Sequence, residues 1–145
     1  MARRTAGAVK TLHAAYRVTD LTVSLDFYSS LGYQQVGQIS AGDGESLTML
    51  KLPGDEVVTL ELVHRPVDGP VSVGTGFSHL VVQVRHLAAT VATLMKLGLQ
   101  PEAEQHPAGE FGPRTSWLTD PDGYRIELVQ WPPGHADGIT TADFQ

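Results

Sequence analysis

The chain repeats itself. Slid along itself by 66 residues, the sequence sets His13 on His79 and Glu61 on Glu127, so in each copy the His stands 48 residues before the Glu. Without any gap, Val18 falls on Val84, Leu21 on Leu87, Leu31-Gly32 on Leu97-Gly98 and Gln34 on Gln100. Leu52 falls on Leu118, Leu62-Val63 on Leu128-Val129 and Pro66 on Pro132. A repeat of this length is one supersecondary module, used twice. Any fold proposed for the first copy must also suit the second.

Each copy carries the same signals in the same order. HAAYRV and HLVVQV are short strand-like runs that open on the histidine. Leu21, Leu25, Tyr28 and Leu31 then recur at helical spacing, with Thr19 or Asp20 placed to cap the start and Gly32 to end the helix. Leu87, Val91, Leu94 and Leu97 do the same, and Gly98 ends that helix. Three strands follow each helix: residues 33–40, 46–52 and 57–63 in the first copy, and 99–105, 115–120 and 124–130 in the second. The segments SAGDGES, LPGDE and DPDGY mark turns between them. The expected fold is therefore α+β, two tandem βαβββ modules whose mixed sheets curl with the natural twist of strands. One domain is expected over residues 10–132. It divides into module 1 (10–66), a Gly/Pro-rich linker (67–77) and module 2 (78–132), with an arm at 1–9 and a polar tail at 133–145.

Composition narrows the chemistry. At 145 residues the chain can bury a core without staples. With no cysteine it has no disulfide framework, thiolate metal site or cysteine nucleophile, and it suits a reducing cytoplasm. The net charge is -6, and apart from a short basic arm (Arg3, Arg4, Lys10) the cations are scattered, which speaks against nucleic acid as a partner. No apolar run has the ~20 residues of a membrane helix. A cytoplasmic protein with no membrane partner is expected.

The two glutamates are the anomaly. Glu61 lies between Leu60 and Leu62, and Glu127 between Ile126 and Leu128. A carboxylate in an apolar strand is costly unless it is paired or holds a cation. An isolated strand Glu is commonly an ordinary inward polar residue, paired with an arginine or facing solvent. Two that repeat together with two histidines point to a shared cause. Strand parity puts Glu61 on one face with Val57, Thr59 and Val63, and Glu127 with Arg125 and Val129. Two imidazoles and two carboxylates suit nickel, cobalt, zinc, iron or manganese better than calcium or magnesium. His64, His86, His106 and His135 have no partner in the other copy and are taken as plain surface residues, while Trp117 and Trp131 are taken as core or interface.

The sequence from Leu12 to Pro132 resembles the glyoxalase I (lactoylglutathione lyase) family of the vicinal-oxygen-chelate superfamily. LHAAYRVTDLTVSLDFY, TLELV, GTGFSHLVVQV and DPDGYRIELVQ carry the resemblance, and DPDGY followed by Ile-Glu-Leu is the most specific of these. It implies one divalent metal held by His13, Glu61, His79 and Glu127, with nickel or cobalt favoured and zinc an alternative. It implies isomerisation of a thiol–methylglyoxal hemithioacetal to a lactoyl thioester. Glu127 would be the main base, and Glu61 its twin for the other stereoisomer. It implies a homodimer with metal sites shared across the interface, and Arg17 meeting a carboxylate of the thiol. Two places depart from the family pattern. Arg65 stands where an asparagine is expected, and residues 106–116 (HPAGEFGPRTS) do not match the thiol-contacting loop. The alternatives are a coenzyme A-thioester epimerase, an extradiol dioxygenase, and a non-catalytic antibiotic-binding protein. A fourth ligand argues against the dioxygenase, and the full ligand set argues against the binding protein.

Overall fold

The computed structural model describes residues 8–145. Arg3, Arg4 and most of the expected N-terminal arm lie outside the described residues. Among the described residues, seven strands and two α-helices follow in the order β1 (Ala14–Val18), α1 (Leu21–Leu31), β2 (Gln34–Ala41), β3 (Glu45–Lys51), β4 (Leu60–His64), β5 (His79–Gln83), α2 (Leu87–Lys96), β6 (Arg114–Thr119) and β7 (Arg125–Gln130). Short 3-10 turns cover Pro66–Asp68 and Thr141–Phe144. The strands expected at 33–40, 46–52, 115–120 and 124–130 form, within one residue at each end. Among the described residues no helix is long and apolar enough to cross a membrane.

The strands make two mixed sheets, ordered β1-β4-β3-β2 and β5-β7-β6. In both, the module's first strand runs parallel to its last, and the remaining pairs are antiparallel. The fold is α+β, as the duplication requires. The two registers are equivalent: Ala15 sits beside Glu61, and Val81 beside Glu127.

The chain divides into two compact units. One comprises the described residues through Leu21 together with Gly32–Val71, and the other Thr22–Leu31 with Ser72–Gln145. In the first, Leu60 and Leu62 of β4 are buried with Leu50, Thr48 and Val18. The intervening Glu61 and Val63 point to the opposite face, as a period of two demands. The β2–β3 turn is made by Asp43 (φ 58°) and Gly44 (φ 76°), both left-handed, which is how a type I′ turn follows the twist of its strands. Asp55 fastens the next connection. It accepts from Leu52 N–H (2.9 Å) and from the Thr59 hydroxyl (2.7 Å), so β4 begins at Leu60 and not at Val57 as expected.

In the second unit α2 lies against β6 and β7 and buries Leu87 and Leu94. Its end is a Schellman turn, with Gly98 (φ 89°) donating to Met95 O and Leu99 to Leu94 O. The strand expected at residues 99–105 does not form. Pro101 has no N–H for a ladder. Glu102 N–H reaches Trp117 O at 2.8 Å, and Gln105 exchanges two bonds with Thr115 (2.8 and 2.9 Å). Three residue steps here face two on β6, a bulge that leaves only an isolated bridge.

The DPDGY turn anchors α1 within this unit. Asp120, 4% exposed, accepts from Asp122 N–H (2.8 Å), Tyr124 N–H (2.9 Å) and the hydroxyl of fully buried Tyr28 (2.7 Å). Burial pushes its carboxyl above the ordinary range, while the hydrogen bonds from Tyr28, Tyr124 and Asp122 pull it back. Each bond to a buried carboxylate contributes on the order of 1 kcal/mol or more. Asp120→Ala is expected to cost about 2–4 kcal/mol and Tyr28→Phe about 1.5–3 kcal/mol in urea unfolding. A Tyr28→Phe protein as stable as the parent would contradict this role.

Candidate metal centre and its pocket

The parallel registers bring each histidine to its glutamate. His13 lies one residue before β1, diagonal to Glu61 on the next strand, and His79 opens β5 in the same relation to Glu127. His13 Nε2 is 3.0 Å from Glu61 Oε1, and His79 Nε2 is 3.4 Å from Glu127 Oε1. All four side chains are half-buried. Among the described residues no Lys or Arg pairs with either glutamate, so the arginine-paired explanation of these carboxylates does not hold. Arg125 shares the face of Glu127, but it donates to Glu102 and to the Thr119 hydroxyl (2.8 Å) and lies 5.1 Å over the Trp117 ring.

The pairs fit a divalent cation. Bonds of about 2.0–2.2 Å to imidazole nitrogen and carboxylate oxygen put adjacent ligand atoms about 3.0–3.4 Å apart, in octahedral or tetrahedral geometry. The His79 ring is also set for the task. Its Nδ1 is 2.7 Å from Ser78 Oγ, and a proton there leaves the Nε2 lone pair for a cation. The edge-to-face contact with Trp117 (4.8 Å) holds the ring plane. Among the described residues no group of three or more His, Cys, Asp or Glu is placed to hold an ion, so the candidate ligands appear as two pairs, one in each unit.

A cavity of about 590 Å³ opens over the second pair. His79, Glu127, Gln83 and Thr115 are its polar lining. The rest is apolar: Val81, Val129, Pro107, Pro113, Trp131 and Ile139. A second cavity, of about 660 Å³, is lined by residues such as Val23, Phe27, Leu99 and Pro121 and holds neither His–Glu pair. Arg17 lies on the same face of its sheet as Glu61, and its Nη2 donates to Gly69 O at 2.7 Å. Arg65 pairs with Asp68 (3.0 Å) and Glu45 (3.3 Å).

Sequence reading missed Gln83, Ser78, Trp131 and the tail. Trp131 is a pocket wall, and its indole N–H donates to Gln83 Oε1 at 2.7 Å. His135 also has a structural role. It stacks on Trp131 at 4.6 Å, with Nδ1 2.6 Å from Ala136 O and Nε2 2.6 Å from Asp143 Oδ1. Both neighbours are acceptors, and only an imidazolium has two N–H groups to give them. The Ala136 carbonyl and then Asp143 hold His135 above its ordinary value of 6.5. Thr140 N–H and then His135 hold Asp143 below its ordinary 3.8. The raised histidine stabilises the tail below its ordinary value, and this is lost as the pH rises through the raised midpoint. The lowered aspartate stabilises above its ordinary value, and this is lost as the pH falls through the lowered midpoint. The fastening is complete between roughly pH 4 and 6.5. NMR titration of the His135 ring should give a midpoint above 6.5 that falls in Asp143→Asn. A midpoint at or below 6.5 in the parent would contradict the pairing.

The model of the Glyoxalase/Bleomycin resistance protein/Dioxygenase superfamily matches residues 10–128. A probable lactoylglutathione lyase of Synechocystis sp. is 30% identical over 122 residues, covering 82% of this chain and 93% of that protein. A trypanothione-dependent glyoxalase I of Leishmania major has a similar structure, with TM-score 0.71, 25% identity, and 85% and 87% of the two chains covered. A bleomycin-binding protein, solved in complex with bleomycin, is similar in fold, with TM-score 0.60, 22% identity, and 84% and 98% covered.

Proposed function

For this chain, which belongs to the glyoxalase/bleomycin resistance/dioxygenase superfamily, we propose a metal-dependent lyase that isomerises a thiol–2-oxoaldehyde hemithioacetal to a 2-hydroxyacyl thioester. The observation that carries the reading is the pair of equivalent His–Glu contacts, at 3.0 and 3.4 Å, in which each carboxylate is turned to an imidazole and to no cationic side chain among the described residues. The names of curated relatives such as the probable lyase of Synechocystis sp. support it.

His13, Glu61, His79 and Glu127 are the proposed ligands, and nickel or cobalt, with zinc as alternative, fits their nitrogen and oxygen atoms. When bound, such an ion supplies stabilisation of negative charge as it develops on the substrate oxygens. Glu127 takes the proton from the carbon that bears the hydroxyl and sulfur and returns it to the neighbouring carbonyl carbon. The carbon–sulfur bond is kept, and the hydroxyl and carbonyl exchange places. Glu61 does the same for the opposite stereoisomer. The apolar walls around Glu127 exclude water and keep the proton on the carboxyl between the two transfers. Arg17, on the ligand face of its own sheet, receives a carboxylate of the thiol. Two copies of the chain associate in the cytoplasm, each site taking one His–Glu pair from each copy.

One set of assays tests this. Metal-stripped protein is reloaded with nickel, cobalt or zinc, and thioester formation from methylglyoxal is followed with glutathione and other small thiols. Metal-dependent turnover is expected, falling on the order of 100-fold or more in Glu127→Gln. The same assay on a mixture of His13→Ala/Glu61→Ala and His79→Ala/Glu127→Ala proteins should recover about a quarter of parental activity. Half the dimers are then mixed, each with one intact site. No recovery would contradict the shared site. No turnover with any metal and thiol would contradict the lyase.

A further inference from the structure

Beyond their last strands the two copies keep a likeness at a longer offset, 69 residues (137 − 68). Each module is followed by an Asp-Gly step, Asp68-Gly69 or Asp137-Gly138, and the same position of the module's first strand grips both. In the first unit that position is Arg17, which reaches Gly69 O (2.7 Å) and Asp68 Oδ2 (3.8 Å). In the second it is Gln83. Its Nε2 donates to Asp137 Oδ1 (2.8 Å), and its Oε1 accepts from Gly138 N–H (2.9 Å) and Trp131 Nε1–H (2.7 Å). One amide thus gives the tail one donor and one acceptor, and its second acceptor site ties the same side chain to the Trp131 indole. Beyond it, Thr140 N–H donates to Asp143 Oδ2 (2.8 Å), and Asp143 also meets His135. The tail is fastened on both sides of Ile139.

That placement has a consequence for the pocket. Gly138 and Ile139 form part of the wall around His79 and Glu127. Ile139 is 66% exposed and Val81 51% exposed, so each presents hydrocarbon that a bound group would cover. Among the described residues no Lys or Arg lines the cavity, and its titratable lining groups are the Glu127 carboxylate and the His79 imidazole. An anionic or zwitterionic moiety finds no cation among these residues, whereas an aryl or branched alkyl group meets six apolar side chains.

We infer that the C-terminal strap is the specificity wall of this site, with Ile139 contacting the organic group carried by the 2-oxo compound and Gln83 acting as the positioning residue that holds the strap in place. The identity of the reacting group rests on the lyase reading. The apolar compartment does not.

The probes are phenylglyoxylate and pyruvate, two unreactive 2-oxo acids that differ in the organic group. Each is titrated into the metal-loaded full chain while the indole N–H signals of Trp117 and Trp131 are followed by NMR. Phenylglyoxylate should bind on the order of tenfold more tightly than pyruvate. Ile139→Ser and Gln83→Glu should each reduce that preference to about twofold or less, chiefly by weakening the phenyl compound. Adding Asp137→Asn to Gln83→Glu should restore it, because an amide at 137 can donate to a carboxylate at 83. A parent without the preference, variants that keep it, or a double variant that fails to regain it would overturn the inference. Turnover of the methylglyoxal and phenylglyoxal hemithioacetals in the same proteins separates the two readings. A strap-dependent preference without any turnover sinks the lyase and supports the wall. Turnover with a preference indifferent to the strap does the reverse.

Discussion

A parallel ladder between the first and last strands of a module fixes which side chains can meet. In both sheets the histidine stands at the head of the first strand, and the glutamate lies one strand over and two residues on. Side chains on one face at that diagonal are within reach of each other when they are long, as imidazole and carboxylate are. A slip of one residue would turn each glutamate into the core and its aliphatic neighbours outward. The burial of Leu60, Leu62, Ile126 and Leu128, each 1% exposed or less, is what resists the slip. The same alternation that builds the core thus presents the carboxylate on the far face, where it can serve chemistry.

This resolves the anomaly of the two glutamates. Neither is a core residue, since each faces away from its buried aliphatic neighbours and lies half-buried beside an imidazole. The cost of a carboxylate in an apolar strand is reduced by parity and offset by its partner. The modules differ in their surroundings. In the second, Trp117, Ser78 and the tail shape the pair, whereas position 12, equivalent to Ser78, is Leu12 in the first. The two His–Glu pairs are therefore equivalent in register and unequal in surroundings.

Much of this was legible in the sequence. The duplication led to the α+β fold with its two mixed sheets, the glutamates between aliphatic neighbours marked β4 and β7, and SAGDGES, LPGDE and DPDGY marked turns that form. Local chemistry governs such features. The expected strand at residues 99–105 failed because a proline and a bulge, invisible to alternation alone, break its ladder with β6. Gln83 and the tail were missed for a different reason. Their bonds span 54 and 55 residues and connect single polar side chains, which leave no periodic trace. His135 looked like a surface histidine because its partner, Asp143, has meaning only once the tail has turned.

On the proposed function, the four repeated residues act together on one cation. Calorimetric titration of metal-stripped protein with nickel, for the parent and for His13→Ala, Glu61→Ala, His79→Ala and Glu127→Ala, tests it most directly. Stoichiometric binding is expected for the parent, with a loss of more than about 100-fold in affinity in every one of the four variants. A variant from either pair that binds nickel as tightly as the parent would contradict it.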